Sequence, residues 1–174
     1  MRKKDKYFVT LFLLICAVFF YGFYTIKNQK QEIETLRQQN DSMSRLLLEQ
    51  AMASFDAHAM DFTWSFYYYF NQKKINVQKT AAELTPEQRN LLQRYTDHFR
   101  FKKLVSMENF WYVDGGGGAK LEFDCPWGHI YTDPGRVFLK TPDGQEHYAH
   151  FEIDWEDYNA LLHAFGVETS DEEF

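Results

Sequence analysis

Cysteine is scarce in this chain. The two present, Cys16 and Cys125, sit in unlike surroundings, the first inside an apolar N-terminal run and the second closing the stretch LEFDC. They are not expected to pair, which excludes a fold framed by disulfides. Positive charge is scarce over the C-terminal part. From residue 104 onward three basic residues (Lys120, Arg136 and Lys140) stand against fifteen acidic ones. A surface this acidic repels a phosphate backbone, so no nucleic-acid partner is expected.

Also missing is a phosphate-binding loop. The nearest approach is WYVDGGGGAKLEFDC (111–125), with four consecutive glycines. A phosphate loop needs a helix behind it and Ser or Thr after the lysine. Here Lys120 is followed by Leu121, and the next residues alternate as a strand does. The glycines read instead as a hairpin connection. Cys125, His129, His147 and His150 can be written as C-x3-H…H-x2-H, a zinc-like set or a source of a Cys/His nucleophile. On one strand, however, His147 and His150 face opposite sides, and Cys125 shares a face with Leu121 and Phe123. No catalytic, cofactor-binding or metal-ligating residue is assigned, and no cofactor is expected.

What the sequence does have is a twenty-residue stretch without a charge, YFVTLFLLICAVFFYGFYTI, at 7–26. At about 1.5 Å per residue it covers roughly 30 Å, the thickness of a bilayer core. Arg2, Lys3, Lys4 and Lys6 precede it, and by the positive-inside bias that end is cytoplasmic. The expectation is a single-pass inner-membrane protein, its C-terminal domain periplasmic or extracellular.

Residues 27–55 contain no Pro or Gly and balance four basic against four acidic residues. With Ile26 as an a position, Ile33, Leu36, Asn40, Met43 and Leu47 form a short heptad seam. An Asn at one a position is a known device for fixing register and dimer state. These five residues are the candidate interaction site, for self-association or for another membrane protein.

Beyond the stalk, DAHAMDFTWSFYYYFNQ (56–72) fits helical spacing, with Phe55, Phe62, Phe66 and Tyr69 on one side, although its three tyrosines suit a strand equally. LTPEQRNLLQRYTDHF (84–99) is a helix capped by Thr85 with Pro86 at its first position. Its basic flank is expected to pair with the acidic C-terminal half. VSMENFWYV, LEFDC, GRVFLKT and EHYAHFEI read as strands, the last two joined by Pro142-Asp143-Gly144. DWEDYNALLHAFG (154–166) closes as a helix, with Asp154 as N-cap and Gly166 as stop.

The predicted organisation is a tail (1–6), a transmembrane anchor (7–26), a helical stalk (27–55), an α+β domain (56–167) and an acidic tail (168–174). The domain is expected to hold an antiparallel sheet of about four strands packed with helices. This layout resembles bitopic subunits of bacterial envelope machines, in architecture and without a shared motif. The function expected is a non-enzymatic assembly, scaffold or interaction subunit. The alternatives are a small-ligand or lipid-binding sensor, or a Cys/His hydrolase or metal-binding domain.

Overall fold

The computed structural model describes residues 3–70, 73–111 and 117–167. The chain divides into two compact units, Met1–Ser42 and Met43–Phe174. Helix α1 (Lys3–Ala53) supplies most of the first and enters the second.

Among the described residues no helix is long and apolar enough to cross a membrane. This overturns the transmembrane anchor at 7–26 and, with it, the single-pass inner-membrane placement and the periplasmic or extracellular domain. From Leu14 to Ile26 the described apolar run is about 20 Å long at about 1.5 Å per residue, short of a bilayer core. From Lys27 the helix turns polar. The side chains of residues 7–11 and 13, which the expected span includes, lie outside the described residues.

The second unit holds a seven-stranded antiparallel sheet, not one of about four strands. Its strands are β1 (Phe62–Phe70), β2 (Lys73–Thr80), β3 (Arg100–Leu104), β4 (Gly117–Cys125), β5 (Gly128–Asp133), β6 (Arg136–Lys140) and β7 (Glu146–Glu152). They lie in the order β2-β1-β4-β5-β6-β7-β3. Residues 62–70 are strand, not a continued helix. Phe62, Trp64 and Phe66 are all buried, a period of two. They lie opposite Phe123, Leu121 and Ala119 of β4.

The stretch expected as a strand before the glycines contains a short helix, α3 (Met107–Trp111). The partner strand expected before the glycines is therefore not seen among the described residues. Gly117 and Gly118 belong to β4 itself and pair with Tyr68 and Tyr67 of β1. Gly115 and Gly116 lie outside the described residues, as does the acidic tail at 168–174. Gly118 is needed for room, because a Cβ there would stand 2.7 Å from Cγ of Pro134.

The local signals around the other two helices behave as read. Thr85 caps α2 (Pro86–Asp97), and Gln88 completes a capping box with it. Asp154 caps α4 (Trp155–Ala164) by accepting from the backbone N–H of Glu156 and Asp157. The β6–β7 hairpin forms in the expected place, with Gly144 at φ +87° in its turn.

One face of the sheet carries the core. Leu48 and Met52 at the end of α1, Phe55 just beyond it, Leu92 and Tyr95 of α2, and Leu161 and Leu162 of α4 are all buried there. The Phe55 ring meets both Phe62 and Phe123, at 5.3 and 4.9 Å between centroids. On the other face α3 buries Phe110 against Tyr148 and Phe138, and Arg136 donates to the Phe110 carbonyl at 2.7 Å. Arg136 also pairs with Asp133, both largely withdrawn from solvent.

Candidate interaction surface

Ile33, Leu36 and Asn40 fall at i, i+3 and i+7 on α1, which puts them on one stripe of the helix. In the first unit Ile33 and Leu36 are 64% and 58% exposed, and Asn40 is exposed between polar neighbours. In the second unit Met43 is 57% exposed, while Leu47 is half-buried against the domain core. Leu48, the next residue, is fully buried. The large apolar side chains described between Phe12 and Ile26 are exposed as well, with Phe20 at 77%. A helix that is apolar all round belongs against an apolar surface.

The polar side chains with chemical potential are engaged elsewhere. Between α2 and α4 the buried Asp157 carboxylate takes Arg94 Nε at 2.6 Å on Oδ1 and His98 Nδ1 at 2.5 Å on Oδ2. His98, Asp154 and Asp157 bring ligand-type atoms within 4.8 Å of one another. A cation does not fit them. Both Asp157 oxygens are taken, a guanidinium already supplies the positive charge, and Asp154 Oδ1 is held by two backbone N–H groups. The cluster is a staple between two helices. With Lys102–Glu152 at 3.6 Å, it also shows the basic flank of α2 and β3 meeting the acidic C-terminal half.

Cys125 and the histidines do not converge. His129 Nδ1 meets Asp124 Oδ1 at 2.9 Å on the face opposite Cys125. His147 lies on β7, three strands from β4, so about 14 Å away at the usual strand spacing. Its ring points into the core, where Nδ1 meets Ser44 Oγ at 3.0 Å and Nε2 has no partner among the described residues. Burial pushes the His147 pKa down, with Asp143 opposing weakly. His150 is on the other face. Its pKa is lowered by burial first, and then by Lys103, Arg136 and Lys102.

A groove of about 300 Å³ lies beside the edge strand β3, lined by Met52, Phe99, Phe101 and Phe151 with Glu49 and Arg100. No local sequence pattern encodes it, because its walls come from segments about 50 residues apart. The same holds for the Asp157–His98 contact, which joins residues 59 apart.

The fold defines a class, an α+β domain on a long N-terminal helix. No family model, curated protein or solved structure matches the chain.

Proposed function

We propose that this is a non-enzymatic assembly or interaction protein that works through helix α1, which joins its α+β domain to a partner. The observation that carries the reading is the exposure of Ile33, Leu36 and Met43 at heptad spacing around Asn40. Large apolar side chains at that spacing reward a facing helix with matching knobs and holes. The exposed part of α1 before Met43 acts as the stalk, and the second unit, which begins at Met43, is the folded domain.

The test is the double variant Ile33→Glu/Leu36→Glu in the full chain. The loss of co-purifying partner or of self-association, with an unchanged melting transition of the domain, supports the reading. Retention of every association sinks it.

A second reading, small-ligand binding, rests on the groove at Met52, Phe99 and Phe101. A ligand-dependent rise in melting temperature that Phe101→Ala abolishes would favour it. No shift across a broad library would count against it.

A further inference from the structure

The residues that flank the α1 stripe say more about the partner. Continuing the heptad, Glu32 takes a g position and Arg37 the next e position. Both are exposed and neither has an ion-pair partner among the described residues. In a parallel, in-register pair of helices, a g residue meets the e residue five places further along the opposite chain. The separation of Glu32 and Arg37 is five. Two copies aligned this way therefore gain two Glu32–Arg37 contacts related by the twofold axis, one on each side of the seam. Asn40 would meet Asn40 between them, where two amides can hydrogen-bond to each other. Displacing the register by one heptad breaks both Glu32–Arg37 contacts and the Asn40–Asn40 contact, leaving one Glu32 opposite Lys30 and the other opposite Ser44, and an antiparallel arrangement breaks the g-to-e rule.

We infer that the partner of this stripe is a second copy of the same chain, parallel and in register, selected by Glu32–Arg37 charge pairing and Asn40–Asn40 contact. The inference rests on the assembly reading above and narrows it to one partner and one orientation. Leu36 supplies the d-position contact and Ile33 the β-branched a-position contact, the combination that favours two strands.

The experiment is oxidative crosslinking of the full chain in cells, in a Cys16→Ser/Cys125→Ser background, with diamide as oxidant. Single cysteines are placed by Leu36→Cys, Asn40→Cys and, on the outer f position, Gln38→Cys. The expected result is disulfide dimer at both 36 and 40, several-fold above that at 38. An antiparallel pair can self-crosslink at only one level, so dimer at one of the two positions alone overturns the inference and leaves self-assembly standing.

Charge reversal gives the second readout, with Asn40→Cys as reporter. Glu32→Arg and Arg37→Glu each lower the dimer several-fold. Co-expressed on separately tagged chains, the two variants pair with each other well above the roughly half of dimers that random pairing yields. Random pairing contradicts the charge assignment. If no self-crosslink forms while the Ile33→Glu/Leu36→Glu variant still loses a captured partner, the inference fails alone. If neither effect is seen, the assembly reading fails with it.

Discussion

Ser44 Oγ and His147 Nδ1 meet at 3.0 Å inside the domain, joining the last part of helix α1 to strand β7 across 103 residues of sequence. Both side chains are buried. The contact fixes the rotation of α1 at the point where Leu48, Ala51 and Met52 begin to enter the core. The hydroxyl satisfies one of the two imidazole nitrogens. Removing it by Ser44→Ala is expected to cost about 1 kcal/mol in urea unfolding, the usual net value of a hydrogen bond. An unchanged midpoint would show that the contact contributes nothing.

The same histidine makes stability depend on pH. Burial holds His147 and His150 below their ordinary value of 6.5. The unfolded chain therefore binds protons more readily than the folded one, and stability rises with pH through that range. It is fully present above about pH 6.5 and declines as the pH falls below that value. Urea midpoints measured from pH 8 to pH 5 should be flat at the alkaline end and fall toward the acid end. His147→Gln should make the fall shallower. A midpoint that rises on acidification contradicts this account.

Asp157 predicts a larger effect. Its carboxylate is 8% exposed and holds Arg94 and His98 from the neighbouring helix. Asp157→Ala leaves those two groups without their acceptor, but both are about half exposed and can turn to water. A loss of about 1–3 kcal/mol is expected. Asp157→Asn should recover part of it, since an amide oxygen still accepts. Equal losses for both variants would mean that the charge, not the hydrogen bonds, carries the staple.

Gly128 tests the sheet. It opens β5 at φ +138°, and a Cβ there would fall 2.1 Å from the Lys140 carbonyl oxygen on β6. That neighbour is backbone and cannot step aside without breaking the β5–β6 ladder. Gly128→Ala is expected to cost about 3 kcal/mol or more, from strain and clash together. Gly144→Ala, at φ +87° with open space around it, should cost only the conformational part, about 1 kcal/mol. Similar losses at the two sites would contradict the register.

What could be read from the sequence follows from how local each signal is. Helices α2 and α4 and the β6–β7 hairpin were legible because Thr85, Asp154, Gly144 and Gly166 act within a few residues of themselves. Strand β1 was misread because Phe55, Phe62, Phe66 and Tyr69 fit a 3.6-residue period. Trp64, buried between Phe62 and Phe66, is the residue that breaks the tie. Strand β3 gives almost no pattern. It is an edge strand whose register shifts between Phe101 and Lys103, so its basic residues do not alternate cleanly with apolar ones. The heptad stripe is local and visible. The contacts that disqualify a Cys/His site depend on strand order, which no local pattern encodes.

The most direct measurement is site-specific photocrosslinking of the full-length protein in cells, with the reactive side chain at Leu36 or Met43 and, as control, at Gln38. The account predicts a discrete crosslinked product at 36 and 43, absent at 38, in which mass spectrometry finds a second copy joined through the same stretch of α1. Equal labelling at all three positions, or none at any, would contradict an assembly role for this helix.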